Sequence, residues 1–379
     1  MNVNKSHKSD NRADAHTTIN TEDGNGTVVD SRRVNGTRKV TISDIAKQAG
    51  VSKTAVSFAF NMPGRLSAET SRHILEVARR LGYTPNPIAR SLNTRRTNAL
   101  GIIVPQDIPT VLSNPFFAEL MSGIGEVCDL EGMSLMVVPP MRGSLVEATY
   151  AALVDGCIVT GLEPDDKAVR ALRLRQIPFV MVDVDAPPDI TSIRIDDCEG
   201  AYLSMKHVLE QGHHQIVLVS FASFTGRVED YTGTLKHRFE GYRKALLEQS
   251  MTLNSPGIHV LECACSVEGG KQAFEKIKVI LPKPTAVIAL SDVIAFGVIE
   301  AAHVAGMRIP DDFMVVGFDD VEASHLLHPP LTTVHQPIRE KGKRAAEMFI
   351  RMLRNDAPPE PERVMLPVKL VVRSSSRKN

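Results

Sequence analysis

The sequence lacks several features that would assign it to a membrane, secreted or disulfide-bonded class. It has no tryptophan, and its five cysteines include no C-x-x-C pair. An odd set of cysteines without paired spacing argues against a disulfide framework and against a zinc site. No apolar run approaches the roughly 20 residues that a membrane-spanning helix needs, and the polar N-terminus lacks the apolar segment of a secretory signal. We therefore expect a cytoplasmic protein with no membrane partner.

Patterns of common enzyme classes are missing as well. No G-x-G-x-x-G follows the first apolar run, LGIIVPQDIPT, as a Rossmann dinucleotide site would require. The twelve histidines include no H-E-x-x-H, and no nucleophile–base constellation is visible. We therefore predict no enzyme activity, no catalytic residue, no cofactor and no metal ion. A Rossmann-type enzyme is the alternative, and a turnover assay against nucleotides and sugars would decide for or against it.

The formal net charge is zero, but the charge is distributed unevenly. Residues 38–96 hold eleven lysines and arginines against three acidic residues, a net charge of about +8. The 283 residues that follow carry about −8 in compensation. A basic segment on an acidic remainder is typical of a protein that binds a polyanion. A solvated basic surface without a partner would have the same composition.

Three short helices are predicted after a polar N-terminal tail. Residues 1–37 are rich in Asn, Thr, Asp and Gly and lack apolar periodicity, so we expect them to be disordered. Within residues 38–84, the T-x-x-D that begins at Thr41 predicts a capped helix start, and Gly50 predicts the end of that helix. Ser52 predicts the cap of a second helix. A third amphipathic helix follows and completes a small domain.

The spacing of the first two helices is that of a helix-turn-helix. Small residues stand where the two helices must approach, and Gly50 permits the tight turn. The second helix presents Lys53, Thr54 and Ser57 outward, and in this motif those positions reach base edges in the major groove. Together with the local basicity, the spacing predicts a DNA-binding head. A helical pair used for protein contacts is the alternative.

From residue 98 onward, short apolar runs alternate with amphipathic segments. Runs such as LGIIVP, SLMVVPP, DGCIVTG and QIVLVSF are rich in Val, Ile and Leu without polar alternation, as in parallel strands buried on both faces. The predicted fold class is therefore α/β with parallel doubly wound sheets, and the number of strand–helix units predicts two similar lobes. Ligands of such sheets bind beyond the carboxyl ends of the strands, which predicts a small-molecule sensor site in the crevice between the lobes.

These elements together resemble the lactose-repressor (LacI/GalR) family of bacterial transcriptional regulators. The motifs that carry the resemblance include TISDIAKQAGVSKTAVSFAFN, YTPNPIARSL, SNPFFAEL, ALSDVIAFGVIEAAHVAGMRIPDDFMVVGFDD and PPLTTVHQP, in this order, from about Thr41 to Ser375. The resemblance implies a helix-turn-helix head (38–84), a hinge (85–97) and a two-lobed, periplasmic-binding-protein-like sensor (98–375). The predicted lobes are about 98–198 with 329–357, and about 199–328 with 358–375.

The resemblance also implies which residues contact DNA. A hinge leucine, Leu92 in this chain, would enter the minor groove as an apolar wedge, unless it only packs between the lobes. Recognition helices of the family commonly carry an arginine where this chain has Phe58, so we expect an unusual operator sequence, unless Phe58 is a core residue. The candidate DNA-binding residues are Thr41, Ser52, Lys53, Thr54, Ser57, Phe58, Asn61, Ala89, Arg90 and Leu92.

A second set of candidates comes from the family's crevice positions. The strongest are Arg238 and Asp319, because a guanidinium and a carboxylate that face each other across a cleft can hold ligand hydroxyls. Their alternatives are a surface helix residue and a strand-end turn residue. Ser291 departs from the asparagine that is usual in the family, which weakens the case for an ordinary sugar. The candidate effector-binding residues are Phe116, Phe117, Asp183, Thr234, Arg238, Ser291 and Asp319, of which the aromatic pair has a core role as its alternative.

The implied mechanism is a homodimer on a roughly palindromic operator in double-stranded DNA, each head in one major-groove half-site. A small-molecule effector, expected to be a sugar or a related metabolite, would change the orientation of the lobes and so change the affinity for DNA. Repression is the commoner output of the family and activation is the alternative. A tetramer remains open, and an extracytoplasmic solute-binding protein is the rival that shares the two-lobed fold.

Overall fold

A computed structural model describes residues 39–86, 91, 94, 96–223, 226–354 and 360–377. The chain divides into two compact units, Met1–Thr94 and Arg95–Asn379. The described residues contain no helix that is long and apolar enough to cross a membrane. The predicted tail (1–37) lies outside the described residues, as do most positions of the predicted hinge.

The first unit contains a head of three helices, and each of its helix starts has a side-chain cap. The helices are α1 (Ile42–Ala49), α2 (Lys53–Asn61) and α3 (Ala68–Arg80), with a 3₁₀ turn at Pro63–Arg65 between the second and the third. Thr41 and Asp44 form a capping box, in which the Thr41 amide donates to the Asp44 carboxylate at 2.9 Å. Gly50 follows α1 at φ 65°, in the left-handed region that glycine adopts freely. Both of these predicted helix signals are thus confirmed.

The apolar stripes of the three helices meet in one small core. The residues of this core are Ile45, Ala46, Val56, Ala59, Ile74, Val77 and Ala78. The Ser52 hydroxyl caps α2 by accepting from the Ala55 amide at 3.1 Å, which satisfies one of the donors that a helix start leaves open. Because Val56 and Ala59 face the core, the opposite side of α2 is left outward.

The second unit is built on two six-stranded sheets of the described residues. The strands are β1 (Ala99–Ile103), β2 (Ser134–Val138), β3 (Gly156–Thr160), β4 (Phe179–Val182), β5 (Ser192–Ile195), β6 (Ile216–Phe221), β7 (Ile258–Cys263), β8 (Ala286–Ala289), β9 (Met314–Asp319), β10 (Thr332–His335), β11 (Arg363–Leu366) and β12 (Lys369–Val371). The first sheet has the order β11-β5-β4-β3-β1-β2, and the second has the order β12-β10-β9-β8-β6-β7. All neighbours are parallel except β10 and β12.

Helices alternate with these strands, as the sequence rhythm predicts. Their bounds are α4 (Ile108–Ser113), α5 (Pro115–Glu131), α6 (Leu145–Ala151), α7 (Lys167–Leu174), α8 (Asp197–Glu210), α9 (Gly233–Glu248), α10 (Val267–Ile277), α11 (Asp292–Val304), α12 (Ala323–Leu326) and α13 (Ile338–Arg354). The strands β1, β3, β8 and β9 are buried along their whole length. Burial on both faces is the reason that these strands are mostly apolar and lack polar alternation. The prediction of two doubly wound α/β lobes is confirmed.

Two strands lie in a different lobe from the one that the predicted bounds assign. Those bounds put β10 in the first lobe, yet Thr332 pairs with Val316 of β9 in the second sheet. They put β11 in the second lobe, yet Arg363 pairs with Ser192 at the edge of the first sheet. Each strand covers an edge whose backbone groups would otherwise be unpaired. The local sequence of a four-residue strand does not reveal which strand it pairs with, so the predicted lobe bounds are wrong here.

Helices α5 and α13 cover one face of the first sheet and cross each other closely at two glycines. A Cβ atom at Gly123 would lie 1.9 Å from the carbonyl oxygen of Arg339, and one at Gly342 would lie 2.2 Å from that of Leu120. The close approach seats the α13 side chains Ala345 and Phe349 in the core of the first lobe. It also fixes where the first turn of α13 meets the crevice.

Candidate functional site

The outward side of α2 is polar and accessible. Lys53 and Thr54 are exposed, and Ser57 and Asn61 are half-buried one turn apart. The Asn61 amide donates to the Ser57 hydroxyl at 3.3 Å, and this contact orders both side chains on the same stripe. Thr41 and Ser52 are exposed at the starts of their helices. Lys53, Thr54, Ser57 and Asn61 thus lie on the outward side of α2, whereas Thr41 caps the neighbouring helix α1.

Phe58 lies on this outward stripe and not in the core of the head. It is half-buried, and it is absent from the cluster that joins Val56 and Ala59 to the other two helices. Its ring instead lies beneath Arg65, whose guanidinium carbon is 5.5 Å from the ring centroid. The neighbouring aromatic residue Phe60 is the one that packs against the core. The alternative prediction from the sequence, that Phe58 is a core residue, is therefore wrong.

Three candidate DNA-binding residues belong to the predicted hinge, residues 85–97. Ala89, Arg90 and Leu92 lie outside the described residues. The role of Leu92 as a minor-groove wedge stays a prediction from the family resemblance.

In the second unit, polar side chains from both lobes meet between the sheets. Lys341, in the first turn of α13, is fully buried, and its ammonium donates to both carboxylate oxygens of Asp183 at 2.8 and 2.6 Å. It also donates to the side-chain oxygen of Gln336 at 2.6 Å. The Gln336 amide in turn donates to Asp319, at the end of β9, at 2.6 Å. One continuous hydrogen-bonded chain thus links the first lobe to the second.

Asp319 is buried, and each of its two carboxylate oxygens accepts a hydrogen bond from a neutral side chain. Besides Gln336, the Ser291 hydroxyl donates to its other carboxylate oxygen at 2.9 Å. Burial raises the pKa of Asp319 above its ordinary value, against the opposing effect of Arg238 and of these hydrogen bonds. Its backbone has φ 131°, in the region that favours glycine. Such a strained strand end holds the carboxylate at the mouth of the second sheet.

Arg238 does not face Asp319 across the crevice, because both residues belong to the second lobe. The guanidinium of Arg238 donates to Asp197 at 2.8 Å and to the carbonyl oxygen of Leu290. Its guanidinium carbon is 3.5 Å from the ring centroid of Phe318. The expectation of an opposed pair is thus wrong in geometry, and the surface alternative for Arg238 is wrong too, because the residue is buried. The cation that the first lobe contributes is Lys341.

Thr234 and the aromatic pair take different positions in the crevice. The Thr234 hydroxyl of the second lobe donates to the backbone carbonyl of Asp183 in the first lobe at 3.4 Å. Phe116 is half-buried, with the Lys341 ammonium 5.1 Å from its ring centroid. Phe117 contacts Phe116 edge to face and lies in the core of the first lobe. Of the two aromatic rings, only that of Phe116 borders the polar chain.

Sequence reasoning missed three residues of this cluster, namely Lys341, Gln336 and Asp197. A signal was present for Lys341, because it occupies the apolar stripe of α13 at the spacing Ile338, Lys341, Ala345. A lysine on such a stripe is buried only when it is paired, so the stripe itself predicts a polar partner. Nothing in the local sequence indicated Gln336, because its role depends on its contacts with Lys341 and Asp319, which the fold brings together.

Asp292 is a further buried carboxylate, and it should make the stability of the fold depend on pH. Full burial, and then the charge of Asp319, raise its pKa to about 7. In the unfolded chain, Asp292 loses its proton above its ordinary pKa of 3.8, whereas in the folded chain it keeps the proton up to about pH 7. The free energy of unfolding therefore falls as the pH rises between these two values. From pH 5 to pH 8, we expect the free energy of unfolding of the wild type to fall by about 2 kcal/mol more than that of Asp292→Asn.

Urea unfolding of both proteins at the two pH values measures this difference. Asparagine fits the site, since its oxygen can accept from the Val321 amide and the Ser324 hydroxyl while its amide donates to Thr333. A difference between the two proteins that does not change with pH would show that Asp292 is ionised at both pH values.

Within the part of the chain that the structure describes, no group of three or more His, Cys, Asp or Glu side chains could hold a metal ion. Asp183, Lys341, Gln336 and Asp319 supply paired charges and hydrogen bonds to the crevice. Such a site can bind a polar organic molecule through its hydroxyl or amide groups.

A capped recognition helix on a small head, followed in the chain by a two-lobed module with a polar crevice, defines a DNA-binding regulator with a sensor domain. The chain belongs to the LacI family of bacterial regulatory proteins. The pattern described as "Bacterial regulatory proteins, lacI family" matches residues 41–86, and a "Periplasmic binding protein-like domain" matches residues 205–376. It is a transcriptional regulator and not an enzyme.

Relatives of known class agree with this assignment. The chain is 34% identical to the HTH-type transcriptional regulator DegA of Bacillus subtilis over 348 residues, which are 89% of this chain and 98% of the relative. It is 33% identical to the HTH-type transcriptional repressor PurR of Mannheimia succiniciproducens, with 89% and 99% covered. The structure of the lac repressor dimer bound to operator and the anti-inducer ONPF is similar at a TM-score of 0.72, with 26% identity and 89% and 99% coverage.

Proposed function

We propose that this regulator is a repressor that binds a palindromic operator as a homodimer, with α2 of each head in the major groove. The observation that carries the proposal is the division of α2 into two sides. Val56 and Ala59 hold one side in the core, and the other presents Thr54, Ser57 and Asn61. Short polar side chains of this kind reach base edges when a recognition helix enters the groove.

Positive charge supplies the sequence-independent part of the binding. The head segment of residues 38–96 carries a net charge of about +8, and lysine and arginine contacts to phosphate release condensed counterions. A lac repressor dimer on operator is among the structural relatives, which supports the dimer for this chain. Because its target is DNA, we place the protein in the cytoplasm. Two dimers could pair into a tetramer.

The crevice is the proposed effector site. A ligand with hydroxyl groups could donate to Asp319 and Asp183 and so replace the contacts that Gln336 and Lys341 make there. Replacing them would break the chain that links the lobes, and the orientation of the lobes would change. A ligand that binds one lobe orientation better than the other changes DNA affinity by that difference, typically about 1–3 kcal/mol. A sugar or a related metabolite fits this chemistry.

The effector-binding set that we propose combines sequence candidates with residues of the cluster. It consists of Phe116, Asp183, Thr234, Arg238, Ser291, Asp319, Gln336 and Lys341. Arg238 and Asp197 are paired internally, so Arg238 would bind a ligand without losing its own counter-ion.

Selection from a random duplex library tests the proposal. The purified full chain is incubated with the library at one fixed salt concentration, because affinity for DNA depends steeply on salt. We expect an enriched palindrome with two half-sites, and a repeat with a panel of mono- and disaccharides should change the yield of bound duplex. No enrichment with or without the panel would contradict operator binding.

A further inference from the structure

The recognition helix carries an aromatic ring where the family resemblance leads us to expect an arginine. Phe58 follows Thr54 by one helical turn and precedes Asn61 by three residues, so it shares their outward stripe. It is half-buried and stands outside the core of the head. An apolar side chain at the centre of a polar stripe therefore needs a reason other than packing of the fold.

Arg65 supplies that reason. It ends the 3₁₀ turn that follows α2, and its backbone amide donates to the carbonyl of Met62 at 3.0 Å, which ties the turn to the end of the helix. Its side chain is exposed and passes over the Phe58 ring, with the guanidinium carbon 5.5 Å from the centroid. Among the described residues, no ion pair with an acidic side chain neutralises Arg65. Its charge is therefore available on the outward side of α2.

A ring beneath a guanidinium restricts the directions in which the guanidinium can point. The face of an aromatic ring attracts the cation, and the planar guanidinium keeps its donors free at its edge. Two parallel donors at that edge match the O6 and N7 acceptors of guanine, which is the commonest specific contact in the major groove. The Arg65 guanidinium over Phe58 thus offers the paired donors that the family resemblance leads us to expect from an arginine at position 58.

We propose that Arg65, held by Phe58, reads a guanine in each operator half-site. This inference rests on the proposed function, since it requires α2 to enter the major groove. The Phe58 ring contributes an edge that can contact a thymine methyl beside the guanine. Arg65 and Phe58 act as one reading unit, so a change in either affects the same base pair.

The duplex selection is repeated with the full-length wild type and with five protein variants. For each protein, competition by duplexes that differ from the selected site at one base pair is then measured. Arg65→Ala removes the fork, and Arg65→Lys retains the charge without the planar pair of donors. Phe58→Leu removes the ring, and Phe58→Tyr retains it. Arg72→Ala is the matched control, because Arg72 is an exposed arginine of the same head on α3.

We expect Arg65→Ala and Arg65→Lys both to lose about 10- to 100-fold of discrimination at one guanine per half-site. Arg65→Lys should keep the salt dependence of the wild type, because it keeps the charge. Phe58→Leu should weaken discrimination at the same base pair, whereas Phe58→Tyr and Arg72→Ala should leave it unchanged. Arg65 is exposed, so thermal unfolding of its variants should match the wild type.

A uniform loss of affinity in Arg65→Ala, with a smaller salt slope and an unchanged consensus, would assign Arg65 to a phosphate and overturn the inference. An unchanged consensus in Phe58→Leu would overturn the role of the ring. Failure of the wild type itself to select any consensus would instead count against operator binding as a whole, so the two failures are distinguishable.

Discussion

Replacing Lys341 with methionine should lower the free energy of unfolding by about 3–5 kcal/mol. Lys341 is fully buried, and it is the cation in contact with the Asp183 carboxylate, whose side chain is only 15% exposed. Methionine replaces the aliphatic part of lysine but leaves that carboxylate desolvated without a counter-ion. Urea unfolding at neutral pH, followed by far-UV circular dichroism, measures the change.

The same helix offers a matched control for this substitution. Arg344 and Glu340 form an ion pair on the exposed side of α13, with side-chain exposures of 47% and 45%. Arg344→Met should cost less than about 1 kcal/mol, since exposed pairs contribute little. The double variant Lys341→Met/Asp183→Asn should recover much of the loss. Equal effects of Lys341→Met and Arg344→Met would contradict the buried pair.

Gly123→Ala should destabilise the second unit by about 3 kcal/mol. Its Cβ would lie 1.9 Å from the Arg339 carbonyl oxygen and 2.9 Å from the Lys343 amide nitrogen. Both neighbours are backbone atoms of α13, so relief requires α5 and α13 to move apart, and the first turn of α13 carries Lys341. Thermal and urea unfolding of the variant measure the effect.

Gly125→Ala, two residues along the same helix, is the control for backbone entropy. Nothing lies within 4 Å of a Cβ at Gly125, so alanine there should stabilise by about 0.5–1 kcal/mol. Opposite signs at the two glycines are the expected result. A stabilising Gly123→Ala would mean that the two helices are not in the contact described.

The sequence predicted the local elements well, because their signals are local. The capping box at Thr41, the left-handed turn at Gly50 and the cap at Ser52 each depend on residues within one helical turn. The alternation of buried strands and amphipathic helices likewise follows from hydrophobic periodicity. These signals were sufficient for two lobes and a helix-turn-helix head.

Features that depend on contacts distant in the sequence were not predictable in the same way. The pair Lys341–Asp183 joins residues 158 positions apart, and no local pattern connects them. The pairing of β10 with β9 and of β11 with β5 depends on how the whole chain folds, and the local sequence of a four-residue strand does not determine it. Phe58 is ambiguous in the sequence because a phenylalanine in a helix usually packs inward. Its position outside the core of the head and its contact with Arg65 are visible only in the three-dimensional structure.

The most direct test of the account compares two equilibrium dissociation constants. The Kd of the full-length protein is measured for its selected duplex and for a scrambled duplex of the same base composition, at one salt concentration. A sequence-specific regulator should bind the selected duplex at least about 1,000-fold more tightly. Equal dissociation constants would show that the basic head binds DNA only as a polyanion, and would contradict sequence-specific regulation.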